Sequence, residues 1–516
     1  MADSTLPPLI RQMLQPSFYP HAVSEPIELM QTHVSYVLLT GDYAYKLKKP
    51  VNFGFLDYST LEKRHHFCAE ELRLNQRGAA PLYLEVVPIA ETGHGFELQG
   101  AGNLVDYAVK MRQFPQTALL SHQFEAGQLD EARVRSLAET VAAFHAKTET
   151  NDYIRAFGNV EQVRQAIDEN YEQTVAYIGG PQTQPQFDET KAYTDRFFAE
   201  RTDLFEQRIQ QDRIRACHGD LHLGNICQWE GQLLLFDCIE FNEPFRFVDV
   251  MFDIAYIVMD LQVANRQDLS AAFLNHYAEQ TGDWQGLQIL PLYVSRQAYV
   301  RAKVASFMLG DPGVSAAAKQ QASEKAARYY RLAWSYGQPS QGQLILMAGL
   351  SGSGKSTTAR AIARQLGALH LRSDAVRKHL AGMPVQQRGD DSLYTAEMTQ
   401  KTYARLLALG LALAGEGYSV ILDAKYDRQA LWQSAIAAAQ AGDLPLTLLH
   451  CTAPEAVLKQ RVAERSGDIA DATVAVLANQ SMERFSEQVQ PYVRTIDTAD
   501  ADTGQLAAIV EALKMR

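Results

Sequence analysis

Cysteine is scarce in this sequence. Five cysteines occur in 516 residues, and no two of them have the CxxC spacing of zinc sites. Their number is odd and their spacing irregular, so neither a structural zinc site nor a disulfide framework is expected. A reducing compartment is the simpler interpretation.

Long hydrophobic runs are missing as well. No stretch approaches the roughly 18 uninterrupted apolar residues that a membrane-spanning helix needs. Residues 1–15 contain no basic region followed by an apolar run, so no secretory signal is expected. Together these absences predict a cytoplasmic protein without a membrane partner.

The chain also has no excess of positive charge. Its formal net charge is −12, which argues against an extended nucleic-acid-binding surface. Residues 339–516 contain 18 basic and 18 acidic side chains, so the whole negative excess lies in the preceding part. An acidic first part is compatible with a cationic substrate.

The length of the chain predicts more than one domain, because a single hydrophobic core rarely serves more than about 200 residues. The clearest boundary is the polar, Gly- and Pro-containing segment 336–343, which is typical of a linker. We therefore expect one domain over residues 1–337 and a second over residues 343–516.

After the linker, strand-like and helical patterns alternate. The predicted strands are 344–348, 368–371, 419–422 and 445–450, with helical stretches between them. This alternation predicts an α/β domain with a parallel sheet and helices on both faces.

A phosphate-binding loop lies directly after the first of these strands. The segment 349–356 fits GxxxxGK[ST] and precedes a helical run, which is the context that the motif requires. Its glycines allow backbone N–H groups to surround phosphates, and the following helix contributes its positive end. Lys355 is expected to reach the β and γ phosphates of ATP, and Ser356 to bind Mg²⁺. The predicted nucleotide-binding residues are Gly349, Leu350, Ser351, Gly352, Ser353, Gly354, Lys355, Ser356 and Thr357.

Further candidates follow the later strands. Asp374, after the second strand, is a candidate base for an acceptor hydroxyl, or else a helix cap. Arg377 is a candidate ligand of a phosphate or acceptor group. Asp423 ends a buried strand and is a candidate Mg²⁺ ligand, or else a turn residue. Arg461 and Arg465, spaced four apart on a predicted helix, form either a phosphate-closing lid or a solvated basic face.

These motifs resemble those of the small P-loop kinases, a group that includes polynucleotide kinase, gluconate kinase and zeta-toxin-type enzymes. The resemblance covers residues 343–516 and rests on the phosphate loop, Ser373-Asp374 with Arg377, and the Asp423 strand. It implies an acceptor hydroxyl on a sugar, a nucleic-acid end or a small metabolite.

The first domain has a different candidate site. Residues 218–225, His-Gly-Asp-Leu-His-Leu-Gly-Asn, fit HxDxxxxN, and Asp237 follows at the end of an apolar run. Phosphoryl transfer of the protein-kinase type needs one Asp that orients the acceptor hydroxyl, and an Asn and a second Asp that hold Mg²⁺. Asp220, Asn225 and Asp237 take these roles in our prediction.

Such a site also needs a strand lysine for the phosphates of ATP and a helix glutamate that pairs with it. Lys46 ends an alternating strand and is the best candidate, with Lys48 and Lys49 as competitors. Glu71 is the predicted partner, with Glu70 as the rival. Strands are predicted at 33–39, 42–48, 82–89 and 104–112, and a helix at 60–75.

Two other carboxylates follow the candidate metal ligand. Asp249 and Asp253 are predicted on one face of a helix, and we expect them to anchor the catalytic loop or start the helix.

The segment from about residue 21 to 334 resembles the aminoglycoside phosphotransferase and choline kinase family. The resemblance implies an α+β, two-lobed kinase fold, with a small lobe over about 20–112, a large lobe over about 113–337 and ATP between them. One departure is plain: no GxGxxG loop precedes Lys46, and the candidate flap at residues 32–35 contains no glycine. The whole chain resembles bacterial fusions of a phosphotransferase-like domain with a P-loop ATP-binding domain, loosely named AAA family ATPases.

The sequence therefore predicts an enzyme, an ATP- and Mg²⁺-dependent kinase with two nucleotide sites that transfers the γ-phosphate to a hydroxyl. One alternative is a P-loop ATPase whose kinase-like domain binds a ligand without turning it over. Another is a regulatory ATPase that hydrolyses ATP and transfers nothing. Residue patterns leave the acceptor and the oligomeric state open.

Overall fold

The computed structural model describes residues 6–464, 469–471, 473–499 and 503–515. The strands are β1 (Glu28–Gln31), β2 (Ser35–Leu39), β3 (Tyr43–Lys48), β4 (Tyr83–Thr92), β5 (Gly95–Leu98), β6 (Asn103–Arg112), β7 (Ile214–Ala216), β8 (Ile226–Trp229), β9 (Gln232–Leu235), β10 (Phe247–Asp249), β11 (Gln343–Ala348), β12 (Leu369–Arg372), β13 (Ser419–Asp423), β14 (Leu446–Thr452) and β15 (Val493–Asp497).

Helices connect these strands along the chain. They are α1 (Pro8–Met13), α2 (Leu61–Ala79), α3 (Leu120–Glu125), α4 (Glu131–Lys147), α5 (Asp152–Ala156), α6 (Val160–Glu172), α7 (Gln184–Glu200), α8 (Thr202–Gln210), α9 (Glu243–Arg246), α10 (Val250–Val263), α11 (Gln267–Thr281), α12 (Leu290–Gly310), α13 (Ala316–Ser335), α14 (Lys355–Leu366), α15 (Ser373–Leu380), α16 (Ala396–Gly415), α17 (Gln429–Ala441), α18 (Glu455–Ala463), α19 (Val474–Ala478) and α20 (Thr503–Lys514).

The chain forms two compact units that do not coincide with the two predicted domains. The first unit comprises residues 1–129, 143–163 and 202–257, and the second comprises residues 130–142, 164–201 and 258–516. The second unit thus includes the P-loop segment together with helices that the sequence assigned to the large lobe. The domain division at residues 337–343 stays a sequence-based prediction.

The first unit contains a six-stranded antiparallel sheet with the order β1-β2-β3-β6-β4-β5. Strand β3 lies inside this sheet, with Lys46 opposite Val37 on one side and Val109 on the other. The four predicted strands are present, whereas β1 and β5 were not predicted, because each has only four residues with little buried surface. Helix α2 begins after Thr60, whose side chain accepts a hydrogen bond from the Lys63 N–H, an ordinary N-cap.

The candidate catalytic loop of the first unit lies among short strands. β7 pairs with β10 and β8 pairs with β9, each pair antiparallel. The prediction that Asp249 lies on a helix with Asp253 is wrong, because Asp249 ends β10 and the helix begins one residue later. Both carboxylates are nevertheless buried.

The second unit contains a five-stranded parallel sheet with the order β12-β13-β11-β14-β15. The predicted α/β class and parallel sheet are therefore confirmed. All residues of β11 are buried, which explains the continuous apolar run before the phosphate loop. The edge strand β15 was not predicted, because only one of its five residues is buried and its sequence lacks an apolar run.

No helix in the described part of the chain is both long and apolar enough to cross a membrane.

A buried ion pair gives a stability prediction for the first unit. The Arg208 guanidinium donates to both oxygens of Asp249, at 2.8 and 2.6 Å, and both residues are buried. Removing one partner strands the other charge, so Asp249→Ala is expected to lower the free energy of unfolding by about 3–5 kcal/mol in urea denaturation. Glu70→Ala, which removes the exposed ion pair with Arg73, is the control, with an expected loss of about 0–1 kcal/mol. Equal losses in the two variants would contradict the prediction.

Candidate functional site

The backbone of the predicted catalytic loop is held by one buried carboxylate. Asp253 accepts hydrogen bonds from the N–H groups of His218 at 2.9 Å and Gly219 at 2.8 Å, and its Oδ2 lies 3.1 Å from His145 Nε2. Burial raises the pKa of Asp253, but these donors outweigh it and leave the pKa below its usual range. Gly219 has a φ of +89°, and a Cβ there would lie 2.6 Å from the Phe245 carbonyl oxygen. These contacts restrict the backbone conformation of the loop and so position Asp220.

His218 supports the same loop from inside. Its Nε2 lies 2.8 Å from the Phe236 carbonyl oxygen, and its Nδ1 accepts a hydrogen bond from the Asp220 N–H at 3.3 Å. This pattern assigns the proton of the neutral ring to Nε2. Burial lowers the pKa of His218 below its usual value of 6.5, so the ring stays neutral near pH 7.

The structure brings Asp220 and Asn225 together as predicted. The Asn225 side-chain amide donates to the Asp220 carbonyl oxygen at 2.9 Å and lies 3.4 Å from its carboxylate. His222 Nε2 also lies 3.4 Å from the Asp220 carboxylate, while its Nδ1 accepts from the Gly224 N–H. The amide nitrogen of Asn225 thus donates to Asp220, so the amide oxygen is the atom that would coordinate a cation.

Lys46, Glu71 and Asp237 form the second half of this site. The Lys46 ammonium lies 2.7 Å from Glu71 Oε1 and 2.6 Å from Asp237 Oδ1. Glu71 is fully buried, whereas its rival Glu70 pairs with Arg73. Burial raises the pKa of Glu71, but Lys46 and a second lysine outweigh it and lower the pKa below its usual range.

A cavity of about 450 Å³ lies beside Lys46, Asp220 and Asp237. Lys46, Asp220 and Asp237 line it together with apolar side chains, which is the usual composition of a small-ligand site of this size. The apolar lining comes mainly from the strands and the segment after β6, and includes Val37, Leu39, Ala44, Met111, Phe114, Leu119 and Phe236. Carboxylate and amide oxygens are the ligands that Mg²⁺ prefers, so Asn225 and Asp237 fit that ion.

The turn between β1 and β2 contains the predicted flap, residues 32–35. The Thr32 hydroxyl accepts hydrogen bonds from the N–H groups of Val34 and Ser35, at 3.2 and 2.9 Å. Lys49 donates to the Thr32 carbonyl oxygen at 2.7 Å. Thr32, Val34 and Ser35 also line the cavity. A side-chain hydroxyl thus stabilises a tight turn that needs no glycine.

In the second unit, the phosphate loop lies between β11 and α14 as predicted. Gly352 has a φ of +82°, and a Cβ there would lie 2.5 Å from the Leu458 carbonyl oxygen. Thr498 donates to the Ser353 carbonyl oxygen at 2.9 Å, and Arg461 lies 3.4 Å from that of Gly352. These contacts fix the peptide planes of the loop.

Arg461 therefore contacts the loop rather than extending into solvent. Its guanidinium also donates to the Thr498 hydroxyl at 2.8 Å and to the Thr498 carbonyl oxygen at 2.5 Å. The solvated-face alternative does not describe this residue, and its predicted role toward phosphates stays a prediction. Its helix, α18, ends at Ala463, and Arg465 lies outside the described residues.

The other residues of the loop contact the protein itself or solvent. Lys355 begins α14 and donates to the Leu350 carbonyl oxygen at 2.8 Å. Leu350 packs against a small apolar cluster around Leu477, and Thr357 is exposed in the first turn of α14.

Ser356 and Asp423 meet at the carboxyl end of the sheet. The buried Asp423 carboxylate lies 3.0 Å from His370 Nε2, and the Ser356 hydroxyl is near enough to lower the pKa of this carboxylate. Burial raises the pKa of Asp423, but His370, Arg372 and Ser356 outweigh it and leave the pKa well below its usual range. A hydroxyl and an ionised carboxylate together fit Mg²⁺.

Asp374 and Arg377 lie on α15, next to Tyr394. Burial and the nearby charge of Asp374 raise the pKa of Tyr394. The buried Arg377 donates to the Leu393 carbonyl oxygen at 2.9 Å and lies 3.2 Å from the Thr399 hydroxyl. The Arg377 guanidinium thus hydrogen-bonds to other residues of the protein, and its role toward an acceptor stays a prediction.

Sequence reasoning missed several contacts of the two sites. No sequence motif indicated the contact of His370 with Asp423 or that of Glu240 with Lys48. Gln480 was missed too, although its side chain accepts from the Ser351 N–H at 2.9 Å and donates to the Ser351 hydroxyl at 3.1 Å. The residues of each contact are far apart in the chain, so no local spacing could reveal them.

The neutral state of His218 is open to a direct test. Protonation would give Nδ1 a proton that faces the Asp220 N–H, so the folded protein should resist it. In a pH titration of ¹³C-histidine-labelled protein by NMR, with the signal assigned through His218→Asn, we expect a midpoint below 6.5. Because the folded-state pKa is lowered, stability from this group is present above the unfolded pKa of about 6.5 and is lost as pH falls through the folded pKa. A midpoint at or above 6.5 would contradict the assignment.

Two family models match the chain. A model described as "Phosphotransferase enzyme family" matches residues 58–290, and one described as "AAA domain" matches residues 344–486. These matches confirm the kinase-like fold class predicted for the first part and the P-loop class predicted for the second. They support a kinase-type function.

Known structures resemble one part of the chain or the other. Amicoumacin kinase in complex with AMP-PNP, Ca²⁺ and its ligand has 13% identity and a TM-score of 0.36, covering 63% of this chain and 92% of that one. A choline/ethanolamine kinase family protein from Mesorhizobium loti has 10% identity and a TM-score of 0.37, covering 64% and 98%. The Mycobacterium tuberculosis APS kinase, in complex with AMPPNP and APS, has 19% identity and a TM-score of 0.27, covering 34% and 99%. TM-scores this low support no conclusion about activity.

Relatives align along most of the chain. A protein of Mycobacterium tuberculosis and one of Mycobacterium bovis, both described as uncharacterised, are each 31% identical over 458 residues. The aligned part is 88% of this chain and 89% of each relative. The chain is a member of the family that includes these mycobacterial proteins, and it joins a domain of the phosphotransferase enzyme family to a P-loop domain of the AAA type.

Proposed function

We propose that this protein is an ATP- and Mg²⁺-dependent phosphotransferase that moves the γ-phosphate of ATP to a hydroxyl of a small molecule, a sugar or a nucleic-acid end. One observation carries the proposal: Lys46, Asp220 and Asp237 line a single cavity of about 450 Å³. These are a phosphate-binding cation, a base and a metal ligand, which phosphoryl transfer needs within one site.

The chemistry follows from the positions of these side chains. Asp220 takes the proton of the acceptor hydroxyl, whose oxygen forms a bond to the γ-phosphorus as the bond to the β–γ bridging oxygen breaks and ADP leaves. Lys46 binds phosphate oxygens while Glu71 holds its ammonium group. Mg²⁺, held by Asn225 and Asp237, would offset negative charge on the phosphates.

The phosphate loop is the proposed second nucleotide site. Lys355 and the N–H groups of the loop would bind the phosphates of ATP, and Ser356 with Asp423 would hold Mg²⁺. Asp374, on the helix after β12, is the proposed base for an acceptor hydroxyl. The contact of Ser356 with Asp423 supports this assignment.

Transfer of labelled phosphate tests the function. [γ-³²P]ATP is incubated with a pool of cell metabolites and RNA and with wild type, Asp220→Asn or Lys355→Ala. Loss of the base should lower transfer at its site by about 10²–10⁴-fold. Asp188→Asn and Lys459→Ala change exposed side chains and should transfer like wild type. If every enzyme releases only inorganic phosphate with every acceptor pool, the transferase proposal fails and a regulatory ATPase explains the site.

Calorimetric titration with ATP and Mg²⁺ tests the number of nucleotide sites. Wild type is expected to bind two ATP molecules, while Lys46→Met and Lys355→Ala each bind one because each lacks one phosphate-binding lysine. The controls Lys63→Met and Lys459→Met, which change exposed lysines, should bind two. A wild-type stoichiometry of one would refute the two-site proposal.

A further inference from the structure

A second lysine is buried behind the candidate site of the first unit. Lys48 is 2% exposed and lies two residues after Lys46 on β3. Its ammonium lies 2.7 Å from Glu71 Oε2 and forms a second ion pair with Glu240. The Tyr58 hydroxyl donates to the same Glu240 oxygen at 2.5 Å. Lys48 thus joins helix α2 to the segment that follows β9.

This second pair meets the first one at a shared carboxylate. Glu71 Oε1 lies 2.7 Å from the Lys46 ammonium, and Glu71 Oε2 lies 2.7 Å from the Lys48 ammonium. Lys46 also forms an ion pair with Asp237. Lys48 forms one with Glu240, three residues further along the same segment. The segment that carries the proposed metal ligand is therefore tied to β3 at two points.

Lys48 differs from Lys46 in its access to the cavity. Lys46, Asp237 and Glu240 line the cavity, whereas Lys48 is not part of its lining. Its ammonium cannot bind phosphate from this position and can act only through its carboxylate partners.

Charge balance explains why the position needs a cation. Glu71 is 0% and Glu240 is 7% exposed, and a buried carboxylate without a cation is strongly unfavourable. Without Lys48, both carboxylates would compete for Lys46 or draw water into the protein. Either change would move Lys46 and the Asp237 segment away from their present spacing.

We propose that Lys48 is a positioning residue of the nucleotide site: by pairing with Glu71 and Glu240 it holds Lys46 and Asp237 at the spacing at which ATP phosphates and Mg²⁺ bind. This inference rests on the proposed function of the first unit. It assigns to a residue outside the cavity the task of keeping the metal-binding segment in place.

The test measures ATP binding by the full chain. Lys355→Ala is the parent protein, so that calorimetry reports the site in the first unit alone. The Kd for ATP is measured once with MgCl₂ and once with EDTA. The Mg²⁺ dependence is the Kd in EDTA divided by the Kd in MgCl₂. In Lys48→Met, the Kd with Mg²⁺ should rise by about tenfold or more, and the Mg²⁺ dependence should fall toward one.

Lys48→Met/Glu240→Gln is the rescue variant. Removing both charges leaves Glu71 paired with Lys46, and the amide oxygen of Gln can still accept from Tyr58. The Mg²⁺ dependence should therefore return to within about threefold of the parent. In Glu240→Gln alone, Lys48 keeps its pair with Glu71, and the Mg²⁺ dependence should fall by about threefold. This variant replaces Lys48→Met in the test if Lys48→Met does not fold. Lys63→Met, which changes an exposed paired lysine, should match the parent.

The possible outcomes separate the two proposals. A parent protein that binds no ATP overturns the proposed function of the first unit and this inference with it. A parent that binds ATP, with a folded Lys48→Met or Glu240→Gln variant of unchanged Mg²⁺ dependence, overturns only the positioning role. Equal loss in Lys48→Met and the rescue variant also overturns it, because the loss would then not come from the uncompensated charge of Glu240.

Discussion

A carboxylate is stable in a protein interior only when hydrogen-bond donors or cations surround it, and both candidate sites are organised around such groups. Asp253 holds the loop that carries Asp220, Glu71 holds two lysines, and Asp423 gathers His370 and Ser356. Each buried charge needs partners from other parts of the chain. The need to satisfy it therefore fixes the relative positions of the groups that would meet the nucleotide.

The turn that carries the predicted flap of the first unit is also closed by the protein's own polar groups. Glycines let a flap bend over phosphates, whereas the Thr32 turn is closed by its own side-chain hydroxyl. Lys46, which lines the cavity, is held on its other side by Glu71, whose two carboxylate oxygens pair with two lysines. A network fixed in advance loses little conformational entropy when a ligand binds.

Local patterns predicted the elements that carry strong local signals. The apolar run of β11, the glycines of the phosphate loop and the helix after it follow from residues within about 25 positions. The weak edge strands β1, β5 and β15 were not predicted, because few of their side chains are buried and their hydrogen bonds to neighbouring strands supply the stability. The choice between Lys46 and Lys48 was also beyond local pattern, since both residues pair with Glu71.

The sequence by itself determined the chemistry that is available: a phosphate loop, an Asp-Asn-Asp set and a strand lysine, each recognisable because backbone geometry demands particular residues at short spacing. Only the tertiary structure decided which of these groups meet. It joined Lys46 to Asp237 across 191 positions, His370 to Asp423 across 53 and Ser351 to Gln480 across 129. The physical reason is that pairing of buried polar groups depends on distance in space, and chain spacing carries no information about it beyond a few helical turns.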